Sequence, residues 1–337
     1  MNHSFVGDSV AALNRDMAEK NLGGHWQLGL ESYAAYPETT VQPCLWKWKD
    51  LYESLIRAGE VISLEQAERR TVRLLNPALR DRQATTHTIQ FSFQYVKSGE
   101  HARPHRHTAA AFRFILKGSG AYTTVNGQKC VMEEGDLILT PQLSWHDHTN
   151  DSGKPIIWLD GLDIPLVQSL QQLLFEPYPE EAQPIQRNSD QIGAPQAGGD
   201  LTMEGFHYRW SETARRLKAL ASADRFEGYH LEYRNPVTEA PTMPTIQCAL
   251  SLLRPGQETE AHRHTSTVIY HAFRGSGSSF VGNERFDWDV GDSFVVPLWY
   301  PHRHVNRAAS EEAILFSMSD APVLKSLGLY REEPMGA

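Results

Sequence analysis

The sequence predicts an all-β protein made of two double-stranded jelly-roll barrels, with a helical arm before the first barrel and a mixed connector between the two. From about residue 86 to residue 165, short runs of alternating apolar residues are separated by Gly, Asn-Gly and Pro, which is typical of strands joined by tight turns. The same texture returns after about residue 240. Strands do not alternate with long helices, so we expect antiparallel barrels and not a parallel sheet.

Changes of texture divide the chain into five predicted segments. These are an N-terminal helical arm (1–84), a first barrel (85–170), a connector (171–240), a second barrel (241–325) and a C-terminal tail (326–337). In the arm, Asp8 or Ser9 can cap a helix that ends before Gly23, and LWKWKDLYESLIRAGE has apolar residues at helical spacing. A further helix is predicted to begin at Ser211 in the connector.

Composition excludes several classes of protein. The 337 residues are 40% hydrophobic and 22% charged, which is typical of a globular protein with a sizeable core. The net charge is −9 and no long Lys/Arg cluster occurs, so we expect no nucleic-acid partner. No signal-like start or long apolar run is present, which predicts a cytoplasmic protein with no membrane contact. Three widely separated cysteines indicate reduced thiols.

An internal repeat relates the two predicted barrels. Gly99, His105, His107 and Gly118 recur 157 residues later as Gly256, His262, His264 and Gly275. Gly135, Pro141, His146 and Asn150 recur 156 residues later as Gly291, Pro297, His302 and Asn306. This paired spacing resembles the two motifs of the cupin family, whose domains are small jelly-roll barrels. The Glu that usually follows the first motif is replaced by Ala111 and Val268.

The first motif predicts a metal site inside the first barrel. Alternate residues of a strand share a face, so the positions listed next should all point inward. They are His105, His107, Ala109, Ala111 and Arg113. Burying an unpaired polar group costs about 2–7 kcal/mol, and a divalent metal held by the two histidines and His146 would remove that cost. The alternative is a set of surface histidines on a strand rim, and three imidazoles alone do not name the metal.

Other inward positions suggest how an anionic ligand would be bound. The guanidinium of Arg113 can hold a carboxylate through paired hydrogen bonds, and the alternative is an internal ion pair with Asp160 or Asp163. Both hold if one of these aspartates orients Arg113. His148 shares the parity of His146 and is a candidate acid or base, with a hydrogen bond to a barrel carbonyl as its alternative. Ala109 and Ala111 would leave room for a planar ring.

The second barrel repeats the candidate ligands but not the cation. His262, His264 and His302 form a second candidate metal site. Tyr270 takes the position of Arg113, while His304 repeats the position of His148. We therefore assign the chemistry to the first barrel and expect the second barrel to be chiefly structural.

Longer segments resemble the gentisate 1,2-dioxygenase family of bicupins. They are WKWKDL, HRHTAAAFRFILKGSGAYTTVNGQ, MEEGDLILTPQLSWHDHTND and WLDGLDIP. The resemblance implies Fe(II) bound by His105, His107 and His146. It also implies cleavage of an aromatic acid by O2, between the carboxyl-bearing and hydroxyl-bearing ring carbons, in a homotetramer.

The resemblance also implies roles for individual side chains and a preferred substrate. Arg113 and Arg69 would hold the substrate carboxylate, and His148 would contact the hydroxyl group or the oxygen. Gentisate, opened to maleylpyruvate, is the first expectation. Gln90 stands where relatives tend to carry an aromatic residue, so 5-nitrosalicylate, salicylate and 1-hydroxy-2-naphthoate are alternatives. A decarboxylase or isomerase of the cupin type, or a noncatalytic bicupin that binds an aromatic acid, represents another class.

Overall fold

The computed structural model describes residues 3–29, 34–67, 69–188, 207–235 and 238–335. Residues 1–38 and 39–337 are two separate compact units. The first unit contains helix α1 (His3–Glu19), which begins upstream of the predicted cap at Asp8 or Ser9, and a short 3-10 helix (His25–Gln27). All strands that the structure describes lie in the second unit.

Short helices and many short strands make up the second unit. The helices are α2 (Trp48–Val61), α3 (Leu64–Ala67), α4 (Ile164–Ser169), α5 (Trp210–Lys218), α6 (Ala321–Ser326) and the 3-10 turn Pro77–Leu79. The first strands are β1 (Cys44–Trp46), β2 (Thr71–Arg73), β3 (Gln90–Val96), β4 (Glu100–His107), β5 (Ala111–Lys117), β6 (Tyr122–Val125), β7 (Gln128–Val131), β8 (Leu137–Thr140), β9 (His146–Asn150) and β10 (Ile156–Leu162). Then follow β11 (Phe175–Pro177), β12 (Arg187–Asn188), β13 (His207–Tyr208), β14 (Tyr229–Glu232), β15 (Gln247–Leu253), β16 (His262–His264), β17 (Val268–Arg274), β18 (Gly277–Val281), β19 (Glu284–Trp288), β20 (Ser293–Val296), β21 (His302–Val305), β22 (Ala313–Ser319) and β23 (Glu332–Pro334). None of the helices in the described ranges is both long and apolar enough to cross a membrane.

Four sheets form the two predicted barrels. Barrel 1 consists of a sheet in the order β13-β8-β5-β10-β3-β2 and a sheet in the order β11-β4-β9-β6-β7-β12. Barrel 2 consists of β1-β20-β17-β22-β15-β14 and β19-β18-β21-β16-β23. We call the sheets that contain β5 and β17 the central sheets, and those that contain β4 and β16 the histidine sheets. The predicted all-β fold of two jelly-roll barrels is confirmed.

Two straps outside the predicted barrel ranges add strands to both barrels. The first strap (β1, α2 and β2) pairs β1 with β20 of barrel 2 and β2 with β3 of barrel 1. The second strap (β13, α5 and β14) pairs β13 with β8 of barrel 1 and β14 with β15 of barrel 2. The arm is therefore not purely helical, and the C-terminal β23 likewise joins β16. The domain limits themselves stay a prediction.

Each strap helix is capped by an aspartate of the barrel repeat. Asp292 of barrel 2 accepts a hydrogen bond from the backbone N–H of Trp48 at 2.7 Å, at the start of α2. Asp136 of barrel 1 accepts the equivalent bond from Trp210 at 2.7 Å, at the start of α5. A carboxylate at a helix N-terminus satisfies otherwise unpaired N–H groups and interacts favourably with the helix dipole. The caps fix where each strap begins its helix.

The largest hydrophobic core lies between the two central sheets. Strand alternation sends Phe112 and Phe114 of β5 into this core, where the ring of Phe114 stacks on Phe316 at 4.2 Å between centroids. The same alternation sends Arg113 to the opposite face of β5, inside barrel 1. At Gly161 an added Cβ would lie 2.3 Å from Phe112 and 2.5 Å from Met318, so the close approach of the barrels requires glycine there.

Candidate metal and substrate site

The stretch from residue 101 to residue 118 is two strands and not the single strand that the sequence suggested. β4 ends at His107 and β5 begins at Ala111, and the chain crosses from the histidine sheet to the central sheet between them. The crossing is fixed by Asp163, whose Oδ1 accepts from the Ala110 N–H at 2.8 Å. The predicted ligands and Arg113 therefore lie on facing sheets. They still meet, because both faces point into the barrel.

Three imidazoles converge on one point inside barrel 1. β4 and β9 are paired with His105 opposite His146, and His107 follows at the end of β4. The ring centroids are 4.3 Å apart for His105 and His146, 4.8 Å for His107 and His146, and 5.4 Å for His105 and His107. One ring nitrogen from each lies within 4.8 Å of the others. The structure thus brings the predicted ligand set together.

Hydrogen bonds to the backbone orient these rings. Nδ1 of His107 donates to the carbonyl of Ala109 at 2.8 Å, and Nδ1 of His146 donates to that of Ser144 at 2.9 Å. Nδ1 of His105 lies 3.4 Å from the carbonyl of Arg103. In His107 and His146 the proton therefore lies on Nδ1, and Nε2 of the neutral ring keeps its lone pair, whereas Nδ1 of His105 also lies 2.6 Å from Nη2 of Arg69, which can only donate. Such backbone contacts are typical of histidines that bind a metal.

Burial keeps the three imidazoles neutral. Desolvation, followed by the charge of Arg69, lowers the pKa of His105 to about 2. Desolvation lowers the pKa of His107 to about 4 and holds that of His146 well below its usual value. A metal binds the neutral form of histidine, so at pH 7 no proton has to be displaced. The chemistry of the three donors therefore fits a first-row divalent ion.

Arg113 is buried beside Asp160 in the same barrel. It is 3% exposed, its Nη1 donates to Oγ1 of Thr140 at 2.5 Å, and its Nε lies 3.6 Å from Oδ1 of Asp160. Burial raises the pKa of Asp160 to about 6, although the nearby guanidinium opposes this rise. Burial also lowers the pKa of Arg113. Asp163 does not pair with Arg113, because it accepts from Ala110 and Thr245 instead.

His148 is a buried imidazole with no hydrogen-bond partner among the described residues. It is 2% exposed, and both Nδ1 and Nε2 are unpaired within that part of the chain. Its ring lies 6.0 Å from that of His146 and 5.0 Å from the indole of Trp158. Desolvation and the charge of Arg113 keep its pKa well below the usual value. The alternative of a hydrogen bond to a barrel carbonyl is therefore not observed.

Further polar atoms in barrel 1 escaped the sequence reasoning. Trp158 Nε1 donates to Oδ2 of Asp160 at 2.9 Å and so orients the carboxylate next to Arg113. Ser92 Oγ and Gln94 Nε2 are buried without a partner among the described residues. Both alternate with core aromatic residues along β3, and this alternation was a signal that could have identified them. Buried polar atoms normally have a partner, which a bound ligand or an ordered water supplies.

The other predicted site residues lie around this interior. Arg69 precedes β2, and its Nη2 is 2.6 Å from Nδ1 of His105 and 3.0 Å from the Arg103 carbonyl. Gln90 is half-buried at the start of β3 and shares the parity of Ser92. Ala109 and Ala111 are buried. Two cations, three converging imidazoles and one imidazole without a hydrogen-bond partner in the described ranges therefore lie close together in barrel 1, which suits a bound anion with an ionisable hydroxyl.

Barrel 2 contains the second predicted histidine cluster. Ring nitrogens of His262, His264 and His302 also lie within 4.8 Å of one another. Tyr270 occupies the position of Arg113, as predicted, but its hydroxyl donates to a carboxylate, Oε1 of Glu227, at 3.0 Å. Glu227 comes from the second strap and had not been singled out from the sequence.

Comparisons with a family model, with known sequences and with solved structures all relate this chain to cupin proteins and to ring-cleaving 1,2-dioxygenases. A family model described as Cupin domain matches residues 92–162 and 249–318. A 5-aminosalicylate 1,2-dioxygenase from Comamonas sp. is 40% identical, over 99% of this chain and 92% of that protein. Gentisate 1,2 dioxygenase 1 from Aquipseudomonas alcaligenes is 36% identical, over 93% of this chain and 92% of that protein.

A solved structure resembles the whole chain. It is the crystal structure of salicylate 1,2-dioxygenase from Pseudoaminobacter salicylatoxidans as adducts with gentisate. It superposes with a TM-score of 0.86 at 30% identity and covers 98% of this chain and 94% of that chain. The similarity includes both barrels and both straps and is not confined to the cupin motifs.

Proposed function

Since the chain belongs to the family of aromatic ring-cleaving 1,2-dioxygenases that includes the gentisate and salicylate enzymes, we propose that it opens a 2-hydroxybenzoate with a polar 5-substituent. Gentisate is the first candidate, and maleylpyruvate would be its product. Both atoms of O2 enter the product, and the bond that breaks joins the carboxyl-bearing and hydroxyl-bearing ring carbons. The cofactor in this proposal is Fe(II).

One observation carries the proposal. Three neutral imidazoles converge on the same interior as the buried guanidinium of Arg113 and the unpaired ring of His148. The imidazoles supply no negative charge, so a divalent ion bound there keeps its full charge. A chelating anion is the ligand that balances it. The guanidinium fits the carboxylate of such a ligand, and its fork geometry favours two parallel hydrogen bonds.

Barrel 1 would hold the ferrous ion through His105, His107 and His146. When bound, Fe(II) supplies the positive charge that lowers the pKa of the substrate hydroxyl and the redox chemistry that O2 requires. Two features of the chain support this ligand set. The Nδ1 atoms of His107 and His146 donate to backbone carbonyls, and all three rings are neutral at pH 7.

The other residues bind the substrate and move its proton. Arg113 binds the carboxylate, and Asp160 positions Arg113 through the contact at Nε while Trp158 holds Asp160 in place. Arg69 adds a second cation beside His105. His148 is neutral and has no hydrogen-bond partner among the described residues, so it can accept a hydrogen bond from the substrate hydroxyl and then its proton.

A polar wall on β3 supports the choice of a 5-substituted substrate. Gln90, Ser92 and Gln94 share one face of β3, and two of them carry buried polar atoms without a partner among the described residues. A hydroxyl or amino group on the ring can satisfy such atoms, whereas the second ring of a naphthoate cannot. The named substrate of the 40% identical relative, 5-aminosalicylate, also carries a polar group at that position.

A substrate panel tests the proposal. The protein is loaded with Fe(II) without oxygen, exposed to 18O2, and assayed with gentisate, 5-aminosalicylate, 5-nitrosalicylate, salicylate and 1-hydroxy-2-naphthoate. We expect the highest kcat/KM for gentisate or 5-aminosalicylate, one O2 consumed per ring, and two labelled atoms in the product. His107→Ala is the matched control and should lose both the barrel 1 iron and the activity.

Two outcomes would contradict the proposal. Tight binding of these acids without O2 uptake would indicate a noncatalytic bicupin. A clear preference for salicylate or the naphthoate would refute the role of the polar wall. The homotetramer implied by the family resemblance stays a prediction, which light scattering of the full chain checks.

A further inference from the structure

The histidine cluster of barrel 2 reproduces the geometry of the cluster in barrel 1. The centroid distances are 4.2 Å for His262 and His302, 4.9 Å for His264 and His302, and 5.4 Å for His262 and His264. Each differs by 0.1 Å or less from the matching pair in barrel 1. Three buried imidazoles that converge without a ligand are unfavourable, because buried polar atoms are normally paired.

The orienting hydrogen bonds recur as well. Nδ1 of His264 donates to the carbonyl of Ser266 at 2.9 Å, and Nδ1 of His302 donates to that of Tyr300 at 3.1 Å. Nε2 of His302 is buried and has no hydrogen-bond partner in the described part of the chain. These bonds place the protons of His264 and His302 on Nδ1 and leave their Nε2 lone pairs for a metal, whereas Nδ1 of His262 has no hydrogen-bond partner in that part of the chain.

A carboxylate replaces the cations that surround the cluster in barrel 1. Arg69 stands two residues before β2 and touches His105, the first histidine of barrel 1. Glu227 stands two residues before β14, and its Oε1 lies 3.8 Å from Nε2 of His262, the first histidine of barrel 2. The two straps therefore deliver side chains of opposite charge to equivalent places.

Glu227 is held where an incoming carboxylate would have to bind. Tyr270, at the position of Arg113, donates to its Oε1 at 3.0 Å, and Ser251 donates to its Oε2 at 3.2 Å. Single ligand atoms of Glu227, His302 and His304 also lie within 4.8 Å of one another. With bonds of 2.0–2.2 Å, ligand atoms around a tetrahedral ion are separated by about 3.3–3.6 Å. The Glu227 carboxylate, at 3.8 Å from Nε2 of His262, would therefore have to move a few tenths of an ångström closer to that ring.

The rest of the barrel 2 interior is lined by larger side chains, and the counterpart of His148 is tethered. Cys130, Met132 and Ile138 of barrel 1 correspond to the larger Phe286, Trp288 and Phe294, 156 residues later. These rings pack around Tyr270, which stacks on Phe294 at 5.1 Å between centroids. His304 is tethered through a hydrogen bond of 2.7 Å between its Nδ1 and Ser279, whereas His148 has no such tether among the described residues.

We infer that barrel 2 binds a first-row divalent metal ion through His262, His264, His302 and Glu227, and that this ion does not bind aromatic acids. Glu227 supplies the negative charge that the substrate supplies in barrel 1. Because Glu227 belongs to the second strap, the ion ties that strap to the histidine sheet of barrel 2 and acts as a structural element. The inference does not depend on the substrate proposed for barrel 1.

Cobalt loading of the full chain tests the inference. Metal-free protein is titrated with Co2+ under argon and followed by visible absorption and by metal analysis after dialysis. We expect two Co2+ per chain in the parent, one in His107→Ala, one in His264→Ala, and none in the double variant. A parent that binds one Co2+, retained in His264→Ala, would overturn the site in barrel 2 while leaving that in barrel 1 intact.

Two further measurements test the carboxylate. In the His107→Ala background, Glu227→Gln should weaken Co2+ binding at least about tenfold. Glu332→Gln is the matched control. The Glu332 carboxylate also lies 3.8 Å from Nε2 of His262 but, unlike that of Glu227, does not lie within 4.8 Å of ring nitrogens of both His302 and His304. Glu332→Gln should change the affinity less than threefold. Equal effects of the two substitutions would refute the assignment of Glu227.

Ligand access is tested with the same variants. Salicylate should perturb the Co2+ absorption of His264→Ala, in which only barrel 1 is loaded, and leave that of His107→Ala unchanged. A perturbed spectrum in His107→Ala would show that barrel 2 is open to aromatic acids. Circular dichroism and the Tm of each metal-free variant, compared with metal-free parent, separate loss of the site from loss of the fold. The parent Tm should rise on Co2+ loading, and His107→Ala should keep part of that rise.

Discussion

The role of Arg113 can be tested by removing the charge from the protein and, separately, from the ligand. Arg113→Met keeps an unbranched apolar chain in the barrel but deletes the guanidinium. Arg113 is 3% exposed, so its charge acts in a poorly solvated interior. Two unit charges about 4 Å apart interact by about 4 kcal/mol at an effective dielectric constant of 20. Loss of one partner of a buried charged pair costs about 2–5 kcal/mol, which agrees with that figure.

This range corresponds to a decrease in kcat/KM of about 30-fold to several thousand-fold with gentisate. The assay is O2 uptake by the Fe(II)-loaded enzyme, with iron content and Tm measured for every variant. Gentisamide lacks the carboxylate charge, so its competitive inhibition constant reports binding without that charge. Inhibition constants of the parent and Arg113→Met for gentisamide, compared with the effect on gentisate, complete a double-mutant cycle. The affinity for gentisamide should fall less than threefold in Arg113→Met, because the lost interaction is with the charge of the acid.

Arg113→Lys is the matched control, since it keeps the charge and loses the paired geometry. We expect a kcat/KM between those of the parent and Arg113→Met. Two results would refute the reasoning. One is a kcat/KM within threefold of the parent in Arg113→Met. The other is an equal loss of affinity for gentisate and gentisamide, because the side chain would then support the barrel and not the carboxylate.

Two other predictions follow from the burial of Asp160 and Gly161. The unfolded pKa of an aspartate is about 3.9, and the folded pKa of Asp160 is raised to about 6, so its contribution to the free energy of unfolding decreases as the pH rises between these values. Because the ionised form positions Arg113, kcat/KM should rise with pH through about 6, and Asp160→Asn should lack this acid limb; an unchanged limb would assign it to another group. Gly161→Ala should lower the free energy of unfolding by about 1–3 kcal/mol, since the added Cβ would lie 2.3 Å from Phe112, whereas Gly23→Ala, with its nearest neighbour at 3.7 Å, should change it little. Denaturant titration compares the two, and equal stabilities would mean that the inter-barrel core relaxes around the methyl group.

The barrels could be predicted from sequence because their signals are local and repeated. Gly, Pro and His at fixed spacings mark the turns and the inward positions of each barrel, and these positions recur at almost one offset. Both strap helices were predicted, but the strap strands and their pairing with the two barrels were not, because the two straps share contacts and few residues. Trp48 and Trp210 occupy equivalent places against Gly291 and Gly135, but the rest of the two helices shares little sequence. Their strands are two to four residues long, too short for periodicity to appear.

In the site too, features set by nearby residues could be predicted from the sequence, and a feature set by a distant residue could not. His105, His107 and His146 were predictable because two of them share a motif and the third is anchored by Pro141 and Asn150. The crossing of the chain between β4 and β5 could not be predicted in the same way, because it depends on a hydrogen bond to Asp163, more than 50 positions further along the chain. The single-strand reading nevertheless put Arg113 in the correct interior, since the face of β5 that it occupies turns toward the histidine sheet. The predicted inward direction of Arg113 was correct, although the prediction that residues 101–118 form one continuous strand was wrong.

Charge explains why two barrels with the same three imidazoles can do different work. In barrel 1, Arg69 and Arg113 add two positive charges around the cluster and Asp160 offsets one of them, so the proposed divalent ion still lacks an anion unless one enters from outside. In barrel 2, Glu227 and Tyr270 occupy the corresponding places, and the protein provides the anion itself. Histidine spacing alone therefore locates both clusters but does not distinguish them. The side chains that distinguish their charge are Arg69 and Glu227, which the straps supply, and Arg113 and Tyr270, which share one position on the central sheet.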